Sequence, residues 1–426
     1  MKLETQCIHA GVQPDPTTNA RGLAVYRTSS YVFDSTEHAA NLFALKELGN
    51  IYTRIMNPTQ DALEQRIAAL EGGAAALAHS SGTSATFNAI NNICSVGDEI
   101  VSAANLYGGT YTMFNDIFPQ FGYKVHFVNS NNPQNIADAI TPKTKAVYCE
   151  TVSNPALEVA DIEAIANIAH EHSIPLIVDA TFTTPVLQRP IDFGADIVID
   201  SLTKWMGGQG AGIGGIVVDS ARFDWKNDKF PTMTQPDSSY NGIRWAYDLP
   251  ESLAPVAYIL RMRVVPMRNL GACLSPDNCW IFAQGLETLP LRMERHCSNA
   301  QKVAEYLDDH RQVEWVRYPG LAGDSMHEMN DKYLNGMGGP MVVFGIKGGL
   351  EAGKKFIEGL EMFSHLANVG DAKSLAIHPA TTTHSQLTPE QQKAGGIVPE
   401  LVRLSVGIEH VDDIIEDIDK GLAAAA

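Results

Sequence analysis

A lysine follows an apolar, strand-like run and two hydroxyl side chains in the stretch "IVIDSLTKW" at residues 197–205. Ser201 and Thr203 precede Lys204, and the glycine-rich segment "MGGQGAGIGG" comes directly after it. A solvated surface lysine needs no such setting, whereas an amine that forms a covalent imine with an anionic cofactor can use all of it. The pattern therefore predicts a reactive lysine at the end of a strand.

Two other apolar runs end in polar groups of complementary kinds. Asp179 closes the run "PLIVDA", and Gly82 and Thr83 lie in "HSSGTSATF" at the expected start of a helix. A helix N-terminus offers free N–H groups, and a glycine there lets an anion approach closely. Because ligands of an open parallel sheet bind at the carboxyl ends of its strands, we expect the amine, the carboxylate and the anion site to lie together.

These three groups are the ones that pyridoxal 5'-phosphate needs from a protein. Its aldehyde reacts with a lysine, its ring nitrogen stays protonated beside a carboxylate, and its phosphate takes N–H and hydroxyl donors. Each group alone has an ordinary explanation, since a lysine beyond a strand is usually exposed, and Asp179 or the Ser-Gly-Thr-Ser sequence suits a turn or a cap. Their order on successive strands favours cofactor binding. A sheet protein that holds a phosphorylated ligand without catalysis is the alternative.

Seven short apolar runs predict the strands that must place these groups. Segments with helical spacing, such as "DIEAIANIAHEHS" at 161–173, lie between them. Runs that are apolar on both faces predict an α/β fold, with a mainly parallel seven-stranded sheet flanked by helices. The runs lie at residues 74–79, 99–103, 124–128, 145–150, 175–180, 196–201 and 214–219.

The chain is predicted to divide into three parts around this sheet. The first part is rich in Pro, Thr, Asn and Arg, and we expect an extended arm with one short helix at about 36–48. Such an arm is not obviously able to build a core alone, so we expect it to contact a neighbouring subunit. The parts are an N-terminal arm at 1–60, a cofactor-binding α/β domain at 61–270 and an α+β C-terminal domain at 271–426.

Two regions have a weaker pattern than the sheet. Residues 221–270 hold Trp, Tyr and Pro without clear periodicity, so we predict an irregular insertion followed by a helix at about 255–270. In the last part, a helical stretch begins at about 276. Two apolar runs, at 338–346 and 401–408, predict strands of a smaller domain.

Composition argues against several classes of partner. Lys and Arg number 31 against 49 Asp and Glu, so the net charge is −18, which disfavours binding to nucleic acid or anionic membranes. The six cysteines include no C-x-x-C pair, which indicates buried free thiols in a reducing compartment. We expect no metal site. No apolar signal core opens the sequence, and no run approaches the roughly 18 to 20 apolar residues of a membrane span. We expect a cytoplasmic protein.

Over nearly its whole length the chain resembles the Cys/Met-metabolism family of pyridoxal-phosphate enzymes, which have fold type I. The family includes cystathionine synthases and lyases, methionine γ-lyases and O-acylhomoserine sulfhydrylases. Its O-acetylhomoserine sulfhydrylase branch is the most similar, because of "ETQCIHAG", "RMERHCSNA" and the long insertion after Lys204. The motifs that carry the family resemblance, in the family's order, are "YTRIMNPT", "SSGTSA", "NLYGGTYTMF", "ETVSNP", "VDATFTTP", "DSLTKW" and "LVRLSVGIEH".

The resemblance implies a role for each matching residue around the cofactor. Lys204 would form the imine, and Asp179 would pair with the pyridinium. Tyr107, in "NLYGGT", would stack on the ring and assist proton transfer. Four further residues would hold the phosphate, and these are Gly82, Thr83, Ser201 and Thr203.

The resemblance also implies a substrate site and sites shared between subunits. Asn154 and Arg403 would hold the α-carboxylate of the substrate, Arg403 through a bidentate pair. Tyr52 and Arg54 would reach the phosphate of a neighbouring subunit's cofactor. The active unit would then be at least a dimer, and the assembly a homotetramer built from two such dimers.

The activity that the resemblance implies is the replacement of acetate in O-acetylhomoserine by sulfide, which gives homocysteine for methionine biosynthesis. Gly109 stands where methionine γ-lyases typically have a cysteine, which argues against that activity. Ile377 stands where cystathionine-cleaving relatives carry a glutamate, which weakens the case for a cystathionine substrate. The alternatives are cystathionine γ-synthase, O-succinylhomoserine sulfhydrylase and methionine γ-lyase activities, or the use of a larger thiol.

Overall fold

A seven-stranded sheet forms the centre of the protein, as predicted. The structure is a computed structural model that describes residues 1–383, 385, 392 and 396–426. The strands follow the order β1-β7-β6-β5-β4-β2-β3, and only β7 runs antiparallel to its neighbours. The strands are β1 Ala75–His79, β2 Glu99–Ala103, β3 Lys124–Val128, β4 Thr144–Glu150, β5 Leu176–Asp179, β6 Ile197–Asp200 and β7 Gly215–Asp219.

Helices cover this sheet, which explains why its strands read as continuous apolar runs. Every residue of β2, β4, β6 and β7 is buried. The helices of this part of the chain are α1 Leu3–His9, α2 Thr36–Phe43, α3 Pro58–Glu71, α4 Gly82–Asn91, α5 Gly108–Thr112, α6 Gln134–Ala139, α7 Ile162–Glu171, α8 Thr184–Leu187, α9 Pro231–Thr234, α10 Ala257–Met262 and α11 Arg268–Leu270. Helix α4 packs on β6 and β7, and α7 packs on β4 and β5.

The N-terminal part has two helices where the sequence predicted one. Helix α2 lies within the predicted region and ends at Phe43, and α1 was not predicted. Cys7 of α1 is fully buried, and the helix packs on α3. The buried Arg66 of α3 donates from its side chain to the carbonyls of Ile8 and Ala10. The short α1 carries too few apolar residues for a periodic pattern, but these contacts hold it against its own chain.

The insertion after β7 is irregular, as predicted, but it is well packed. Phe230 and Trp245 are fully buried, and the rings of Trp225 and Tyr258 stack with their centroids 5.0 Å apart. A helical stretch at residues 254–270 follows, with a π-helical turn at Arg263–Met267 between α10 and α11. Aromatic packing therefore fixes this segment, in which α9 spans only four residues.

A second, five-stranded sheet forms the smaller C-terminal part. Its order is β10-β11-β12-β9-β8, antiparallel except between β10 and β11. The sequence predicted β9 and β12, whereas β10 and β11 are too short to give a pattern. Residues 384, 386–391 and 393–395 of this predicted domain lie outside the described residues. The elements are α12 Pro276–Glu287, α13 Leu289–Asp308, β8 Val313–Arg317, α14 His327–Tyr333, β9 Met341–Ile346, α15 Gly349–Gly359, β10 Ser364–His365, β11 Leu375–Ile377, β12 Leu401–Ser405 and α16 Val411–Ala425.

Candidate active site

A cavity of about 770 Å³ opens at the carboxyl ends of the parallel strands of the first sheet. Strand β1 shares the direction of β4, β5 and β6, so the segments that follow these strands meet at one edge. Arg403 of the second sheet closes the cavity from the C-terminal part. All predicted site residues except Tyr52 and Arg54 line it, namely Gly82, Thr83, Tyr107, Asn154, Asp179, Ser201, Thr203, Lys204 and Arg403.

Lys204 projects into this cavity from the segment that follows β6. Its Nζ donates a hydrogen bond to Oδ1 of Asn368. Burial, together with the positive charge of Arg403, lowers the pKa of Lys204 to about 8, although the nearby Asp179 acts in the opposite direction. An amine with such a pKa can both accept and release protons near neutral pH.

Asp179 ends β5 and faces the same cavity. Its Oδ1 accepts the backbone N–H of Thr181 at 3.0 Å, and the hydroxyl of Tyr148 lies 3.4 Å from Oδ2. Burial raises the pKa of Asp179, while these hydrogen bonds and the charge of Lys204 favour the ionised form. A carboxylate held in this way can pair with a protonated ring nitrogen.

The start of α4 forms an anion cradle beside β6. Ser81 caps the helix, since its Oγ accepts the N–H of Ser84 at 3.0 Å. A Cβ atom at Gly82 would lie 2.8 Å from Cβ of Ser201, so only glycine allows the two segments to approach this closely. The other N–H groups of the first helical turn have no partner within the helix and can bind an anion. Thr203 also lines the cavity, but its hydroxyl is bonded to the backbone of Gly214.

Pyridoxal phosphate fits this set of residues. The cradle that a Cβ at Gly82 would fill can receive the phosphate, with Thr83, Ser201 and Thr203 around it. The amine of Lys204 and the carboxylate of Asp179 share the same cavity, as the aldehyde and the ring nitrogen require. The donor set therefore matches the three polar parts of the cofactor.

Arg403 and Asn154 form a buried pair at the same cavity. Arg403 Nη1 donates to Asn154 Oδ1 at 2.8 Å. Burial lowers the pKa of Arg403 to about 10, so the guanidinium remains charged at neutral pH. A buried guanidinium is suited to a carboxylate ligand. Ile377 lies opposite Arg403 in the β11–β12 pair and is buried, and it is absent from the residues found to line the cavity.

Tyr107 stands at the mouth of the cavity with half of its surface exposed. Its backbone N–H donates to Oε1 of Glu150 at 2.7 Å. A Cβ atom at Gly109 would lie 2.6 Å from Cε1 of the Tyr107 ring, so the ring occupies space that only a glycine leaves free. Burial and the charge of Asp179 raise the pKa of Glu150 well above its usual range.

Sequence reasoning missed Glu150, Thr181 and Asn368, all of which line the cavity. Glu150 closes the run "KAVYCE", so its position at the end of β4 was a usable signal. Asn368 gave no signal, because it lies in a loop 164 residues from Lys204 along the chain.

Tyr52 and Arg54 lie outside the cavity of their own chain. The Arg54 guanidinium lies 5.0 Å from the centroid of the Tyr52 ring. Its Nε atom is buried and has no hydrogen-bond partner among the described residues. Their role at a neighbour's phosphate therefore stays a prediction.

Three general features of the described residues bear on other kinds of site. No described helix is both long and apolar enough to cross a membrane. Within the same residues, His, Cys, Asp and Glu side chains form no group of three that could bind a metal ion. The six cysteines are free thiols, and Cys273 is the least buried of them.

Comparison with known proteins identifies the family. Residues 4–423 match the family described as Cys/Met metabolism PLP-dependent enzyme. The chain is 52% identical to the O-acetyl-L-homoserine sulfhydrylase of Leptospira meyeri, covering 99% of this chain and 96% of that one. It is 48% identical to O-acetyl-L-homoserine sulfhydrylase 1 of Thermus thermophilus, covering 99% and 100% of the two chains.

A solved structure agrees with these sequence relatives. A Campylobacter jejuni protein, provisionally named O-acetylhomoserine (thiol)-lyase, superposes with a TM-score of 0.95 at 37% identity. The match covers 99% of this chain and 100% of the other, which contains an N'-pyridoxyl-lysine-5'-monophosphate. The fold, the cavity and these similarities agree, and the chain belongs to the pyridoxal-phosphate-dependent enzymes of Cys/Met metabolism.

Proposed function

We propose that this enzyme catalyses the O-acetylhomoserine sulfhydrylase reaction and so supplies homocysteine for methionine biosynthesis. The observation that carries the proposal is the single cavity in which Lys204, Asp179 and the Asn154–Arg403 pair meet. Several relatives that are 45–52% identical over nearly the whole chain are named O-acetyl-L-homoserine sulfhydrylase, homocysteine synthase or homocysteine/cysteine synthase. In the reaction, the Cγ–O bond breaks, acetate leaves with the bonding electrons, and sulfide forms the new C–S bond.

The side chains of the cavity have separate tasks in this proposal. Pyridoxal phosphate, when bound, supplies a ring that accepts the electrons released when protons leave the substrate carbons. Lys204 Nζ removes the proton from Cα and returns one at the end of the reaction. Asp179 keeps the ring nitrogen protonated, and the side chain of Tyr107 covers the ring. The phosphate would be held by Gly82, Thr83, Ser201 and Thr203.

The substrate is oriented by the second sheet. Arg403 and Asn154 bind its α-carboxylate, which leaves the acetylated end of the substrate toward the apolar part of the lining. That part includes Val152, Phe182 and Ile213. These side chains offer no charge to a second amino acid, so a nucleophile as small as sulfide is favoured over cysteine.

We further propose that the site is completed by a second copy of the chain in a cytoplasmic homotetramer, a dimer of dimers. Two observations support the exchange of residues between subunits. Tyr52 and Arg54 lie outside their own cavity, and the buried Nε of Arg54 has no partner among the described residues. A phosphate in a neighbouring cavity would supply that partner.

A substrate panel tests the proposed reaction. The purified holoenzyme is given sulfide, or cysteine in its place, with O-acetyl-, O-succinyl- or O-phosphohomoserine, or with O-acetylserine. Homocysteine, cysteine and cystathionine are measured as products. We expect the highest kcat/KM for O-acetylhomoserine with sulfide. Faster reaction with cysteine than with sulfide would assign a cystathionine γ-synthase instead. Release of 2-oxobutanoate from O-acetylhomoserine without a thiol would show elimination.

A further inference from the structure

We propose that Asn368 is a positioning residue that holds the amine of Lys204 in place from the C-terminal part of the chain without adding a charge. The proposal rests on the proposed role of Lys204 as the proton carrier. Asn368 acts through that lysine and not on the substrate. Its Oδ1 accepts the hydrogen bond from Nζ, and both side chains line the same cavity.

The loop that carries Asn368 is fixed against the backbone around Lys204. Gly370 has a φ of +81°, and a Cβ atom there would lie 2.6 Å from the backbone N of Trp205 and 2.9 Å from Cα of Lys204. The two backbones are therefore in direct contact, and no residue but glycine allows this approach. Asn368 stands only two residues before this contact, so the position of its amide relative to Lys204 is set by the fold.

Two hydrogen bonds from backbone N–H groups, at the contact and just after it, hold the loop in place. The N–H of Gly370 donates to Oγ of Ser405 at 3.0 Å, which ties the loop to β12. The N–H of Ala372 donates to the carbonyl of Gly208 at 2.9 Å, which ties it to the glycine-rich segment after Lys204. An acceptor on such a loop can restrict a flexible lysine to one direction, as proton transfer requires.

The amide of Asn368 is neutral, and this matters because the nearby charges shift the pKa of Lys204 in opposite directions. Burial and Arg403 disfavour the ammonium form, and Asp179 favours it. A carboxylate at position 368 would contact Nζ directly and add a second negative charge. An amide accepts the same hydrogen bond and leaves the amine able to lose its proton. If Asn368 had only a structural role, its replacement by aspartate would not change the pH at which Lys204 loses its proton.

The first test measures the titration of Lys204 in the full-length chain freed of cofactor. Trace labelling with acetic anhydride at a series of pH values, followed by mass spectrometry, gives the midpoint at which the amine becomes reactive. We expect a midpoint of about 8 in the wild type. In Asn368→Asp the midpoint should rise by about 1 to 3 pH units. The control, Asn269→Asp, adds the same charge at an exposed position away from the cavity and should leave the midpoint unchanged.

An unchanged midpoint in Asn368→Asp, with a thermal unfolding temperature close to that of the wild type, would overturn the proposal. Because labelling needs no substrate, this result does not depend on which reaction the enzyme catalyses. A failed substrate panel would therefore refute the proposed function and leave the role of Asn368 standing.

The second test separates positioning from simple packing in the holoenzyme. In Asn368→Ala the amine loses its acceptor, so kcat should fall by about 10- to 100-fold. KM for the amino-acid substrate should change by less than about threefold, because Arg403 and Asn154 are intact. A kcat equal to that of the wild type would also contradict the proposal.

Discussion

Arg403 and Asn154 join the two sheets across the cavity, through a hydrogen bond of 2.8 Å between Nη1 and Oδ1. Asn154 follows β4 of the first sheet, and Arg403 lies in the middle of β12 of the second. The partner amide fixes one edge of the guanidinium. A carboxylate can therefore be bound in one orientation, and under the proposed function the C-terminal part of the chain would take a direct part in substrate binding.

Arg403→Lys should reduce kcat/KM for the amino-acid substrate by about 10- to 150-fold. Lysine keeps the charge but cannot form a bidentate pair, and a charge-assisted bond contributes about 1.5 to 3 kcal/mol. The loss should appear mainly in KM for O-acetylhomoserine and not in KM for sulfide. Arg317→Lys, on an exposed position of β8 in the same sheet, is the matched control. Equal losses of kcat/KM in both variants would show that Arg403 does not bind the substrate carboxylate.

Lys204→Ala should abolish turnover and leave the cofactor unlinked to the chain. The amine is the one group in the described cavity lining that can both attach an aldehyde and carry a proton, and it shares the cavity with Asp179. Borohydride treatment followed by mass spectrometry should add the mass of the cofactor to the wild-type chain but not to the variant. If Lys204→Ala turned over substrate as fast as the wild type, the proposed mechanism would be contradicted.

The kcat should rise with pH between about 6.5 and 8.5. In the proposed reaction Lys204 acts as a base in its neutral form, and burial lowers its pKa to about 8. Below that pH the neutral fraction falls about tenfold per unit, so the rate falls with it; above that pH the rate becomes constant. Steady-state rates at saturating substrate in buffers of constant ionic strength provide the measurement. A flat profile across this range would assign the proton transfer to another group.

Gly109→Ala should reduce kcat/KM by about tenfold or more, with little change in the free energy of unfolding. The new Cβ would meet the Tyr107 ring at 2.6 Å, so the exposed ring must move, and a small displacement at a reacting centre is costly to rate. Gly323→Ala is the control, because no heavy atom lies within 4 Å of a Cβ at that position. Full activity in Gly109→Ala would show that the position of the ring is unimportant.

Subunit mixing tests the residues that lie outside the cavity of their own chain. Arg54→Ala should weaken cofactor binding by about 10- to 150-fold, which corresponds to about 1.5 to 3 kcal/mol for a charge-assisted bond to phosphate. Arg54→Ala and Lys204→Ala are then combined under conditions that exchange subunits, at limiting cofactor. One site of each mixed dimer should contain an intact Lys204 and an intact Arg54, so activity should return. Mixed dimers without activity would place Arg54 within its own subunit or away from the phosphate.

The sequence predicted the first sheet and most of the cavity because both depend on local patterns. Each strand is a short apolar run. Asp179 ends one of these runs, and Lys204 lies in the segment that follows another. Glu150 was missed although its position at the end of a predicted strand was a usable signal; only its partner, the backbone of Tyr107, could not be predicted. Asn368 could not be found, because its loop is placed by contacts between distant segments. The short strands β10 and β11 were not predicted, because two or three residues form no detectable hydrophobic period.

The reversed direction of β7 has a practical use for protein engineering. Because β7 runs against its neighbours, it ends at the edge of the sheet remote from Lys204, and the chain leaves there through the insertion. The residues found to line the cavity include none from 221–270. Asp228 is exposed within that insertion and offers an attachment point for a dye, a tether or a fused domain. A dye placed there would report on assembly, and a tether or a fused domain would immobilise the enzyme. The entrance of the cavity would stay open to substrate.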